Sequence, residues 1–236
     1  NFAKAFCEVI NYSLSTGEFP DKFKTSIVTP LQKVKNTIKC DELRAINKLC
    51  VAESVLEKIV REQLLDHFES SELFIDEQSG FRKNHSCETA ITLLFHDWKF
   101  AIDKNRVVLV VFIDLKRAFE TIDRNLLLSK LKNYHCHDNV VSWFSSYLSS
   151  RYQITKFNEE FSTKTPVNLG IPQGSVLSCL LFIVFINDIK NVFQYCNVRI
   201  FADDTLIEIV CDDPNDGLNK LNSDLANLRK YLCASK

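Results

Sequence analysis

No methionine occurs anywhere in the chain, and glycine and proline are scarce, with five of each among 236 residues. A translated protein ordinarily carries at least its initiator Met, so a chain that starts at Asn1 without one reads as a fragment. With so little Gly and Pro, no stretch has the composition of a linker or a disordered tail. None of the glycines is followed by Lys, which removes the phosphate-cradling loop G-x-x-x-x-G-K-[ST]. The nine cysteines are odd in number, scattered and without a C-x-x-C pair, which argues against a disulfide framework and against a zinc knuckle. Reduced thiols imply an intracellular protein. His135-Cys136-His137 is a tight group of metal-capable side chains, but further ligands at usable spacing are missing and it reads as a loop. No apolar run is long enough to span a bilayer; the longest, Val176 to Ile186, reads as a buried helix, so no membrane partner is expected. A net charge of −1 shows no basic excess, and composition alone points to no polyanionic partner. The lysine and arginine clusters at Lys22 and Lys24, at Lys33, Lys35 and Lys39, and at Arg82 and Lys83 read first as solvated faces.

What is present is ample core material: 46% of the residues are hydrophobic and 25% charged, enough for one large globular unit or two packed subdomains. Helical spacing of apolar residues predicts helices over Asn1–Ser15, Glu53–Phe68, Glu88–Ile102, Arg124–Asn133 (with Asp123 as N-cap), Val140–Leu148 and Leu218–Leu232. Short strands are expected at Ser26–Leu31 and Tyr152–Phe157, and a hairpin from Val198–Phe201 and Leu206–Val210. Val107–Ile113 is a continuous, mostly β-branched run, which predicts a strand buried on both faces. This order of elements, with strands that are not adjacent in sequence, indicates an α+β fold.

Three carboxylates stand out by position. Asp114 ends the apolar run, where an ionised group entering the core must be paired or metal-bound. Asp203 and Asp204 are adjacent at the expected hairpin tip, and like charges so close repel unless a cation lies between them. An Asp-Asp pair in a turn has a plainer reading, since Asp caps its own backbone. Strand-end carboxylates are also what two-metal phosphoryl transfer requires, with ions about 3.5–4 Å apart.

Taken in order, several segments resemble the reverse transcriptases of non-LTR (LINE-type) retrotransposons. Ser79-Gly80-Phe81-Arg82-Lys83-Asn84-His85-Ser86-Cys87-Glu88-Thr89-Ala90 is similar to the fingers pattern Q-x-G-F-R-x-x-x-S-T-x-x-A. Phe112-Ile113-Asp114-Leu115-Lys116-Arg117-Ala118-Phe119 resembles the first palm motif, F-x-D-x-x-K-A-F. Ser146-Tyr147-Leu148-Ser149-Ser150-Arg151 resembles S-Y-L-x-x-R, and Gly170-Ile171-Pro172-Gln173-Gly174-Ser175-Val176-Leu177 resembles G-[VI]-P-Q-G-S-x-L. Phe201-Ala202-Asp203-Asp204 is close to Y-A-D-D. The likeness runs from about Phe19 to the end of the chain.

The resemblance implies a right-hand polymerase: fingers over residues 1–105, a palm with an antiparallel sheet flanked by helices over 106–236, and no thumb. It implies RNA-directed DNA synthesis, with an RNA template, a DNA primer and deoxynucleoside triphosphates, and two Mg²⁺ ions for which Mn²⁺ can substitute. Asp114, Asp203 and Asp204 would be the catalytic carboxylates. Asp114, Asp203 and the Leu115 carbonyl would hold the metals. Phe119 would lie under the sugar and exclude a 2′-hydroxyl, or else simply pack in the core. Gln173 and Gly174 would face nucleotide and template, and Arg44 and Arg82 would contact triphosphate or template, or else sit at the surface. Departures from the family pattern are Ala45 in place of Pro, Glu120 in place of Asp, and Ser178-Cys179 in place of Gly-Pro. The family continues beyond this point with a thumb, and an endonuclease usually precedes the polymerase. The alternative is therefore an inactive remnant that keeps the fold and some nucleic-acid binding.

Overall fold

A computed structural model describes residues 2–32, 39 and 42–235, with Arg44 described in its backbone alone. Lys33 and Lys35 of the basic clusters lie outside the described residues. In chain order the first elements are α1 (Phe2–Thr16), β1 (Thr25–Gln32), β2 (Leu43–Lys48), α2 (Val51–Ser70), α3 (Cys87–Asp103) and β3 (Val107–Ile113). There follow α4 (Arg124–Asn133), α5 (Asp138–Leu148), β4 (Arg151–Phe157), β5 (Glu160–Phe161) and β6 (Thr165–Val167). The chain closes with α6 (Ser178–Phe185), β7 (Asn197–Phe201), β8 (Asp204–Cys211) and α7 (Pro214–Ala234). The mixed α and β content agrees with the sequence reading.

Two compact units emerge, each built from two stretches: Asn1–Leu64 with Phe119–Ser178, and Leu65–Ala118 with Cys179–Lys236. The expected single division near residue 105 coincides with none of these crossings. The reason lies in strand pairing, which reaches far along the chain. Thr25 of β1 pairs with Tyr152 of β4, and Val107 of β3 pairs with Cys211 of β8.

In the first unit the sheet runs β2-β1-β4-β5, with β6 also on β4. β1 is antiparallel to β2 and parallel to β4. The core beside it is aromatic: Phe19 meets Trp143 and Tyr147 edge-on at 5.3 and 5.0 Å, and the latter two rings stack at 5.5 Å. Fully burying such side chains contributes about 1.5–3 kcal/mol each. Asp123 caps α4 as expected, its carboxylate accepting from Leu126 N–H at 2.8 Å.

The second unit holds an antiparallel sheet of order β3-β8-β7. α7 is capped by Asp213 and starts on Pro214, whose missing N–H is no loss at that position. Near its middle the fully buried Asp224 accepts from Gln194, Tyr195 and Cys196 N–H at 2.8–3.1 Å. Burial works against that charge, but the three donors hold its pKa below the ordinary range. α6, apolar all round, is buried from Leu180 to Phe185.

The expectation for Val107–Ile113 needs correction. β3 is an edge strand with β8 as its neighbour; Phe112 is 75% exposed and Val107 37%. The strand buried on both faces is the central β8, where Leu206, Ile207, Glu208 and Ile209 are all at most 7% exposed. A β-branched run signals strand propensity, and propensity does not distinguish an edge position from a central one.

Candidate active site

The second unit brings the three carboxylates together. β3 and β8 are in antiparallel register with Ile113 opposite Thr205, so Asp114 and Asp204 sit one step further along at the same end of the sheet. β7 pairs Phe201 with Asp204, which leaves Ala202 and Asp203 as the turn between β7 and β8. Ala202 takes φ +61°, in the region that favours Gly. Asp114 and Asp204 are exposed and Asp203 half-buried. Asp114 therefore stands clear of the core, contrary to expectation, because the strand that carries it is an edge. Among the described residues none of the three side chains is drawn into a hydrogen bond or ion pair. A groove of about 490 Å³ beside them is lined by Cys87, Ile91, Leu94 and Phe112 together with Asp114 and Asp204.

The turn is braced from below by a segment whose role sequence reasoning missed. Residues 77–80 run alongside β7: Ile200 N–H donates to Glu77 O, and Ser79 N–H to Ile200 O, both at 2.9 Å. Gln78 is 1% exposed, and its Oε1 accepts from Gly80 N–H at 2.7 Å and from Ala202 N–H at 3.2 Å. The signal was the leading Gln of the Q-x-G-F-R pattern, which has no meaning until its partner across the fold is known. Gly80 follows for steric reasons, since a Cβ there would lie 2.4 Å from Ala202 N. Gly80→Ala is accordingly expected to destabilise the chain by about 1–3 kcal/mol, read as a lower urea midpoint at unchanged slope.

Deeper in this sheet Glu208, 2% exposed, accepts from Arg199 at 3.0 Å and from the Trp98 indole N–H of α3; Arg199 also pairs with Asp97. Arg82 is likewise engaged internally. Its guanidinium reaches Glu69 at 3.0 and 3.2 Å, the carbonyls of Ile75 and Gln78 at 3.0 and 3.2 Å, and covers the Phe74 ring at 5.1 Å. That geometry assigns it to holding the 75–82 segment. The Arg44 side chain lies outside the described part of the structure.

The first unit gathers Phe119, Gln173 and Gly174. Ile171 N–H donates to Phe119 O at 2.9 Å, and Gly170 N–H to Ile122 O at 3.0 Å, tying the two segments backbone to backbone. Gln173 Nε2 donates to Glu120 Oε1 at 3.3 Å. Gly174 takes φ +79°, and a Cβ there would come within 2.9 Å of Asn47 O in β2. Arg124, also missed from sequence, donates to the carbonyls of Gly170, Val167 and Leu169 at 2.7, 2.8 and 3.0 Å. Burial, and then the nearby Arg151, depress its pKa to about 10. Of these, Glu120, Arg124 and Gln173 border a groove of about 360 Å³ that Asn47 and Tyr152 also line.

Whether the carboxylates suit Mg²⁺ can be judged from their chemistry. They are hard oxygen donors at an open strand end, which fits. Among the described residues, though, no three His, Cys, Asp or Glu side chains already converge in ligand geometry. Mg²⁺ is ordinarily held by one or two carboxylates plus substrate phosphates, so a cage made by the protein alone is not required. No described helix is long and apolar enough to cross a membrane.

Comparison with known proteins shows the family. Residues 32–234 match the family described as reverse transcriptase (RNA-dependent DNA polymerase). A probable RNA-directed DNA polymerase from transposon BS of Drosophila melanogaster is 26% identical over 92% of this chain and 25% of its own length. The RNA-directed DNA polymerase from mobile element jockey of the same organism is 26% identical over 96% of this chain, again 25% of its own. The chain thus spans about a quarter of the length of these relatives. A solved structure of telomerase from Candida tropicalis, in complex with a fragment of telomeric RNA, superposes with a TM-score of 0.60 at 12% identity. It covers 91% of this chain and 40% of the telomerase, a likeness that shows the fold alone. The chain belongs to the reverse transcriptase family, as a domain of the non-LTR retrotransposon type.

Proposed function

We propose that the chain supplies fingers and palm for RNA-templated transfer of deoxynucleotides to the 3′-end of a DNA primer. The observation that carries this is the register of β3, β8 and β7, which leaves Asp114, Asp203 and Asp204 at one end of a sheet, their side chains without partners among the described residues. Asp114 and Asp203, with the Leu115 carbonyl, would hold two Mg²⁺ ions, or Mn²⁺ in their place. Bound there, the metals would lower the pKa of the primer hydroxyl and neutralise charge on the departing pyrophosphate. Asp204 would tune the field at the primer end. In the first unit Phe119 would bar a 2′-hydroxyl, while Gln173 and the bare backbone of Gly174 would contact nucleotide and template. The sheet of the second unit would be the palm.

Primer extension tests the proposal: this chain, a DNA primer on an RNA template, labelled deoxynucleoside triphosphates and Mg²⁺. Incorporation that requires the template and stops with chelator supports it. No incorporation under any metal condition would favour the remnant that keeps the fold alone.

A further inference from the structure

We propose that Glu57 is a positioning residue for the turn 172–176, and that its buried carboxylate sets how well the chain binds the incoming nucleotide. The inference rests on the reading of Gln173 and Gly174 as nucleotide contacts. Glu57 lies in the middle of α2 and is 0% exposed. Its Oε1 accepts from Ser175 Oγ at 2.7 Å and from Tyr147 OH at 2.8 Å, and its Oε2 from Val176 N–H at 2.9 Å. Ser175 Oγ and Tyr147 OH also lie 2.8 Å apart, and Ser175 Oγ accepts from Leu177 N–H at 3.0 Å.

Two of the three donors to Glu57 come from the turn itself, immediately after Gly174. Arg124 holds the approach to that turn through three carbonyls, and Asn47 O closes against Gly174. The turn is thus fixed on its inner side by one carboxylate. A leucine would fill the same space without the desolvation penalty of a buried charge. What only the carboxylate supplies is acceptance of the Ser175 and Val176 donors, which fixes where Gln173 and Gly174 stand.

Glu53, one helical turn earlier, is the internal control. It is equally buried but pairs with Arg151 at 2.7 Å and, among the described residues, makes no hydrogen bond to the turn. Steady-state primer extension on wild type, Glu57→Gln, Ser175→Ala and Glu53→Gln separates the roles. A turn that is competent only about a tenth of the time raises the apparent dissociation constant about tenfold. Glu57→Gln and Ser175→Ala are therefore expected to raise KM for deoxynucleotide about tenfold with kcat within about threefold of wild type. Glu53→Gln is expected to leave KM within about twofold.

Hydrogen exchange at the 174–176 amides is expected to quicken in Glu57→Gln and not in Glu53→Gln. Should Glu57→Gln fail to fold, Ser175→Ala decides. A KM that rises equally in Glu53→Gln, or a loss confined to kcat, overturns the positioning role. Absence of incorporation by wild type, measured first, would instead overturn the nucleotide reading and the inference with it.

Discussion

Replacing Asp203 by Ala, or Asp114 by Asn, is expected to lower RNA-templated incorporation about a thousandfold, equivalent to roughly 4 kcal/mol of transition-state stabilisation. Stability is expected to equal or exceed that of wild type. Both halves follow from the same geometry. Asp114 is exposed and Asp203 only half-buried, and among the described residues neither is used in a hydrogen bond or ion pair. Removing either carboxylate takes nothing from the packing and relieves repulsion between neighbours at the sheet end. A structural role would show the opposite pattern, with activity falling in proportion to a lowered urea midpoint. Steady-state rates and urea unfolding measured on the same preparations separate the two.

The second large effect concerns stability. Arg151, 4% exposed, donates to Glu53 Oε1 at 2.7 Å and to Tyr147 O at 3.0 Å, and stacks over the Tyr147 ring at 4.9 Å. Removing one partner of such a pair leaves the other buried alone, at a cost of about 3–5 kcal/mol. Arg151→Met is expected to show that loss in urea unfolding. The double variant Arg151→Met with Glu53→Leu is expected to recover most of it, because no buried charge then remains.

The loss also depends on pH. Burial, opposed by Arg151, raises the Glu53 pKa from 4.5 to about 7. The folded state therefore holds this proton more tightly than the unfolded chain. The resulting stabilisation is complete below 4.5 and disappears as pH rises through about 7. Glu53→Gln, which never ionises, is expected to gain on wild type by about 3 kcal/mol between acidic and mildly alkaline conditions. Arg151→Met is expected to be more harmful at the alkaline end. A wild type and Glu53→Gln with parallel pH profiles would refute the assignment.

Much of this was legible beforehand, and the exceptions have physical causes. The three aspartates could be found because strand ends and turn residues leave local marks: an apolar run that stops, an acidic pair between two short strands. That all three lie at one end of the sheet is a matter of register. Burial of β3 was misjudged because a run of Val and Ile looks alike at an edge and at a centre, and the strand partner that decides lies some hundred residues on. In α2 the apolar spacing runs through Val55, Leu56, Ile59, Val60, Leu64, Leu65 and Phe68; Leu56, Val60, Leu64, Leu65 and Phe68 are buried as that pattern predicts, but Val55 is 42% exposed and the buried face also carries Glu53 and Glu57. Two glutamates at i and i+4 look like a solvated face until their partners, Arg151 and Ser175, are brought in by the fold. Gln78 and Arg124 escaped notice for the same reason, because what a residue braces across the fold cannot be read from its own neighbours in sequence.

The central claim is that Asp114 and Asp203 hold the metals of a polymerase site, and metal uptake addresses it most directly. Mn²⁺ binding would be followed by electron paramagnetic resonance with template, primer and deoxynucleoside triphosphate present, for wild type, Asp114→Asn and Asp203→Asn. A two-metal site requires two tightly bound ions in wild type and fewer in each variant. Equal uptake by all three proteins would contradict the assignment.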